Sequence, residues 1–341
     1  MFEETFTYIN SQLNDTESHE LNGLLEKLSV NLYQIVSNSE KDCLKELTDA
    51  SEAFKEANYK RWKIGFQKLE MLRYISIEAG KDFQKTFLAL PQYESDPLLG
   101  VLMRQHAHAC RITGEIILLL KGGYPSGALA RWRTLFEISV NCLVIHKYGS
   151  NAAIDFIKYG KVKAAEGMAE YQKTAREMNV QPYTEAEISE AMTSKEKLTN
   201  GEPHFHWARK YTGYSKLEKL REHIGLGKWS HNYKLASKYV HADHCEMQSL
   251  HGIPEGSREV LLVGPSGSGM VEPAHMTAIT LAQITGAFLT ARVNDDELNH
   301  TNSTLFQLLI EQYIDAVGNS FLQCSETPEP KQESPGRSQG S

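Results

Sequence analysis

Apolar side chains recur at helical spacing along most of this chain, and ionisable groups interrupt two of the patterns. From Val101 to Lys121 the positions suit one helix closing on Ile116-Ile117-Leu118-Leu119-Leu120, a run too apolar to face water throughout. On that helix Arg104, His108, Arg111 and Glu115 fall at i, i+4, i+7 and i+11, a single polar stripe. Gly122-Gly123-Tyr124-Pro125-Ser126-Gly127 then predicts a tight reversal, with Ser126 as the cap of a second helix. That helix sets Trp132, Leu135, Phe136, Val140 and Leu143 on one side, with Arg133, Glu137 and Asn141 forming a polar row. So short a turn makes the two helices antiparallel neighbours. The expectation is that both polar rows meet inside the hairpin as a partly buried network of two Arg, two Glu and a His, since buried charges must pair. Exposed ion pairs are the plainer alternative, each contributing about a few tenths of a kcal/mol.

Residues 20 to 90 read as helix throughout. Leu21, Leu25, Leu28, Leu32 and Ile35 form a coiled-coil-like seam, Leu44, Leu47, Phe54 and Ala57 a weaker stripe, and Trp62, Phe66, Leu69, Leu72 and Ile75 a third. This N-terminal region (1–97) either packs on the main body or pairs with a second copy, so a homodimer is one expectation. Leu90-Pro91 and Asp96-Pro97 close it, because proline disfavours helix at the residue before it. A bundle core (98–323) follows. It has a third helix from Asn151 to about Asn179, a polar loop with a short helix over 181–203, and a helical pattern at Leu217, Leu220 and Ile224 broken by Gly225 and Gly227. A fourth core helix, about Trp229 to Ser249, carries Tyr233, Ser237, His241 and His244 as another polar stripe. Glu259 to Val263 is the one strand-like run. The glycines of 264–269 lack the Lys-Ser/Thr of a phosphate-binding loop, since Met270 follows Gly269, and predict a connection only. Helices from Pro273 to about Arg292 and Thr301 to about Leu322 complete the core, and the Pro-, Glu- and Ser-rich tail (324–341) predicts disorder.

Composition narrows the classes. Hydrophobic residues make up 41% of 341 positions, enough for a core, and the net charge of −7 excludes a generally basic nucleic-acid surface while leaving room for a local one. Five scattered cysteines without a C-x-x-C predict reduced thiols in a cytoplasmic protein. The first residues do not read as a signal peptide, and no apolar run approaches the ~18 residues of a membrane span.

The run Leu118 to Glu137, in which Gly123-Tyr124-Pro125-Ser126-Gly127-Ala128 leads into an Arg- and Glu-bearing helix, resembles the HEPN superfamily of prokaryotic helical bundles, where a Gly-Tyr-x-x-Ala turn stands at that place. Arg111-Ile112-Thr113-Gly114-Glu115, Arg131 through Glu137, His206-Trp207-Ala208 and Ser237 through His241 are similar to the bacterial "domain of unknown function 5677" family. The resemblance covers about residues 100 to 270 and implies a mainly α, HEPN-like antiparallel bundle with at most a minor strand element. It also implies a bacterial defence or stress role directed at RNA. Ribonuclease members place Arg, then four to six intervening residues, then His on one helix, so that the Arg lies five to seven positions upstream. None of the thirteen histidines here has that neighbour, and Lys234 and Lys238 are the nearest substitutes. A lysine is a point charge rather than a fork, so Arg111 or Arg133 would have to supply the phosphate clamp.

The candidate catalytic set is therefore His241, Arg133, Arg111, Glu137 and Glu115, with Lys238, Lys234, Tyr233, Trp207 and Ser237 as substrate contacts and no metal or other cofactor. Two alternatives stand beside this metal-independent endoribonuclease. One is a catalytically silent module that binds a partner protein, with His241 as a core histidine. The other is a metalloenzyme built on His241, His244 and Cys245, joined by His204 and His206, although the spacing fits no zinc signature. A Ser237–His241 hydrolase lacks a nucleophile elbow.

Overall fold

The computed structural model describes residues 2–13, 21–87, 90–241, 253, 262–295 and 300–326. It divides into two compact units, Met1–Ala57 and Asn58–Ser341. The first holds α1 (Phe2–Leu13) and the beginning of α2 (Leu21–Phe87). Along its expected seam Leu28 is buried and Leu32 half-buried, whereas Leu25, Ile35, Leu44 and Leu47 are exposed. The sequence boundary near residue 97 and the structural division at Ala57/Asn58 differ for a packing reason. The third stripe of α2 (Trp62, Phe66, Leu69, Leu72 and Ile75) is buried in the core of the second unit.

The second unit is built on the hairpin of α3 (Pro97–Lys121) and α4 (Pro125–Thr174). Asp96 starts α3 by accepting from the amide of Leu98 at 2.8 Å, and Arg292 donates to the same carboxylate at 2.8 Å. At the other end the Asn58 amide donates to the carbonyls of Leu120 and Lys121 at 3.0 and 2.9 Å. It thereby satisfies two acceptors that a helix terminus leaves open. The reversal comes as expected, but its cap does not. Proline takes the first helical position of α4, Tyr124 stands before it without a side-chain cap, and Ser126 lies inside the first turn.

Gly149 divides α4. Its φ of 72° and ψ of −155° lie where side chains with a Cβ are not tolerated, so the chain bends there, and a second helical segment follows as the sequence predicts. α5 (Glu185–Thr199) begins in a Thr184/Glu187 capping box, and α6 (Arg209–Thr212), α7 (Leu217–His223) and α8 (Ser230–Lys238) follow. α9 (Val271–Leu289) packs on α3, α4 and α10 (Thr301–Ser325). Phe321 of α10 sits 5.8 Å from Trp62 and 5.6 Å from Phe66, ring centre to ring centre. The result is mainly α, with no strand among the described residues. Residues 259–261 of the strand-like run and 327–341 of the tail lie outside them, and Val263 is exposed coil. The glycine-rich segment is a connection here. Its Ser266 amide donates to Gly123 of the hairpin turn at 2.8 Å, and Trp62 donates to the Gly267 carbonyl at 2.9 Å. No described helix is long and apolar enough to cross a membrane.

Candidate functional site

Arg131 and Arg133 flank the fully buried Trp132, and two residues on a helix are about 200° apart around the axis. The two guanidinium groups therefore leave opposite sides of α4. Arg131 turns to α3, where it pairs with Glu115 and donates to Thr134 at 3.4 Å. Arg133 turns to α8. The expected single network inside the hairpin does not form: the rows stay on separate faces. On α3 the row faces outward. Arg111 reaches Glu115 only at 3.5 Å with its side chain 80% exposed, His108 is exposed, and Arg104 donates to its own helix at Gly100. The buried histidine of α3 is instead His106, stacked on Phe288 at 5.2 Å with its Nε2 3.6 Å from Cys110 Sγ. Burial lowers the His106 pKa to about 4 and raises that of Cys110 to about 12, so both are neutral near pH 7.

The α4–α8 side is the denser cluster. Tyr233 Oη donates to Glu137 at 2.7 Å and accepts from Arg133 Nε at 3.0 Å, while Arg133 Nε and Glu137 are 3.2 Å apart. Burial, then the bond to Glu137, raises the phenol's pKa, so the hydroxyl keeps its proton for the carboxylate. The bond to Tyr233 is the main cause that raises the Arg133 pKa. Arg133 lies 5.3 Å from the Tyr233 ring centre and Arg221 of α7 lies 5.5 Å from it. Neither Nη group of Arg133 meets an acceptor among the described residues.

Arg221 is the residue that sequence reasoning missed. It is 2% exposed, donates from Nη2 to Ser230 at 3.0 Å, has no partner for Nε, and pairs with no carboxylate among the described residues. A cation inside the Leu217–Leu220–Ile224 pattern, one residue after a stripe position, was the signal available.

α8 ends sooner than its pattern predicts, at Lys238, and Tyr239 to His241 form a turn held by the His241 amide on the Ser237 carbonyl at 3.3 Å. Lys234, Lys238 and His241 are all exposed, as are Lys228 and His231, and α8 contains no acidic residue. Tyr233 and His241 are eight residues apart, roughly 12 Å of helical rise, so one chain does not set His241 beside Arg133. The core-histidine reading of His241 does not fit an exposed turn. Ser237 donates its hydroxyl proton to the Tyr233 carbonyl at 2.7 Å, which leaves no Ser–His pair. Trp207 is not at the surface either: it is buried edge-on against Phe156, with centroids 5.1 Å apart. Of the metal candidates, Asp243, His244 and Cys245 lie outside the described residues, and within them no three His, Cys, Asp or Glu side chains gather as a metal site.

Fold and site together define an all-α bundle whose second unit carries a carboxylate–phenol–guanidinium cluster beside a basic helix face. Residues 99–258, from α3 through α8 and beyond it, match the model of a family of unknown function (DUF5677). No curated protein and no solved structure matches the chain.

Proposed function

We propose that this protein engages RNA on the exposed face of α8, as an HEPN-like member of a bacterial defence or stress system. The observation that carries the reading is an exposed basic row, Lys234, Lys238 and His241, on the segment whose Tyr233 holds an arginine with no acceptor for its two terminal amino groups among the described residues. Arg133 grips one phosphate with both Nη groups, and Glu137 and Tyr233 hold its Nε so that the fork stays aimed. The lysines follow the backbone as point charges. Net charge is no obstacle, because the basic residues of α8 have no acidic neighbour on that helix.

Cleavage requires His241 to act as base on the ribose 2′-hydroxyl. The 2′-oxygen then attacks phosphorus, the bond to the 5′-oxygen breaks as that oxygen takes a proton from water, and a 2′,3′-cyclic phosphate and a 5′-hydroxyl result. Since Arg133 and His241 stand apart on one chain, the two groups come from different copies of a homodimer. The apolar positions left exposed on the early part of α2 support pairing of two copies. A second reading, a silent protein-binding module, is favoured by the commitment of Arg133 Nε to Glu137 and Tyr233.

The test is binding and cutting of labelled RNA at several salt concentrations. Lys234→Ala with Lys238→Ala should lower the salt slope by about 2, and Arg133→Lys should weaken binding because an ammonium cannot span two oxygens. His241→Ala should stop cleavage while binding and melting persist, and chelators should change nothing. Wild-type protein that neither binds nor cuts RNA at about 50 mM salt would leave the module reading in its place.

A further inference from the structure

A second polar cavity lies at the opposite end of α4 from the hairpin, in the segment after Gly149. It encloses about 280 Å³ between α4, α5 and the loop that leads into α6. Three cationic side chains line it, Lys163, Lys195 and Arg209, against two carboxylates, Glu166 and Glu202. The cations are not evenly matched. Glu166 serves two lysines at once, with Lys163 Nζ at 2.8 Å and Lys195 Nζ at 3.0 Å, so two ammonium groups converge on one carboxylate. Arg209 reaches Glu202 only at 3.5 Å. His206 also lines the cavity, and its Nδ1 accepts from the Ala208 amide at 3.2 Å, which places the proton of the neutral ring on Nε2 as a further donor. Phe205 and His206 give the lining its flat rings, and Tyr159, outside the lining, packs 4.8 Å from the His206 ring and 6.3 Å from Phe205.

We propose that this cavity binds a small phosphate monoester carrying a flat apolar group. Lys163 and Lys195 take the phosphate oxygens in place of Glu166, and the ring lies beside Phe205 and His206. Charge argues for the dianion. The pair of lysines already holds one negative charge, and a monoester near neutral pH carries close to two. Volume argues for a small molecule, since 280 Å³ falls just under the ~300 Å³ at which ligand pockets begin. The electrostatics agree: the His206 pKa is lowered by burial, then by Arg209 and Lys163, which marks a cationic environment that the lining carboxylates do not cancel. Nothing in this site depends on the RNA-binding face of α8.

Calorimetry on the full-length protein with phenyl phosphate, phenol and inorganic phosphate tests it. Phenyl phosphate should bind and phenol should not, and inorganic phosphate should bind more weakly than the monoester. Glu166→Gln removes the competing carboxylate and should tighten phenyl phosphate about threefold to tenfold, while Lys195→Gln should weaken it by a similar factor. In the unmodified protein the His206 ring, followed by NMR, should titrate at a higher pH once phenyl phosphate is added, a readout that needs no variant. Phenyl phosphate binding no tighter than phenol or inorganic phosphate would overturn the proposal. So would an unchanged or weakened affinity in a folded Glu166→Gln protein, or an unmoved His206 titration.

Discussion

Arg131 and Arg133 sit one residue on either side of Trp132, have the same chemistry, and meet carboxylates of nearly equal exposure, yet they end in different environments. Arg131 crosses to Glu115, whose side chain is 37% exposed, beside an Arg111 that is 80% exposed. Arg133 enters a cluster in which a phenol proton, a carboxylate and a buried second guanidinium share one ring. The first pair is a seam contact screened by water, whereas the second can keep two unpartnered terminal amino groups aimed outward because its Nε is held. Exposure alone does not separate the two; the neighbour on the facing helix does.

The largest way to break the contrast is to remove its pivot. Trp132→Ala should cost about 3–5 kcal/mol, because the indole is fully buried and donates to Thr280 at 3.0 Å, and both pairs should loosen together in a denaturant titration. If only one side responds, Trp132 is not what orients the two arginines.

The buried histidine sharpens the comparison through pH. His106 has a folded pKa near 4 against an ordinary 6.5, so the unfolded chain takes up its proton first. The contribution is complete above pH 6.5 and is lost as the pH falls from 6.5 to 4, about 3 kcal/mol in all. Unfolding curves at pH 7 and pH 4.5 should differ less in His106→Leu than in the wild type. Equal differences would place the acid sensitivity elsewhere.

Arg221→Met should stabilise the fold by about 1–3 kcal/mol, since it replaces an uncompensated buried charge with an apolar side chain of similar reach. A loss of stability would mean that the contacts to Ser230 and Tyr233 outweigh the cost of burying the charge. Tyr233→Phe should cost about 1–2 kcal/mol by leaving Glu137 and Arg133 without the hydroxyl between them. Arg131→Ala should cost less than about 1 kcal/mol, as exposed pairs do. A melt in which the last two rank in reverse would undo the distinction drawn between the two sides of α4.

Much of the architecture was legible along the chain. The span of α2, the hairpin, a helix restarting near Asn151 and the Trp62–Ile75 stripe all follow from apolar period and turn residues, which are local. Local rules also misjudged some details. Proline displaced Ser126 from the cap, and the fourth core helix stops at Lys238 within a pattern that would let it continue. The residues of the candidate site do not all keep company: Arg133, Glu137 and Tyr233 meet, whereas Glu115 pairs with Arg131 and Trp207 lies in the core.

Spacing along one helix states which residues share a face, and from that came the fold class and the rows of charge. It carries no information about how that helix is rotated against its neighbours. The 100° step between consecutive helical residues makes Arg131 and Arg133 face different partners, and the packing of α3 and α8 on α4 selects those partners. Helix packing also buries Arg221, sends His106 rather than His108 inward against Phe288, and leaves Lys234, Lys238 and His241 exposed. Contacts of that kind join residues far apart in the chain, 100 positions for Arg133 and Tyr233, and they exist only once the helices are docked.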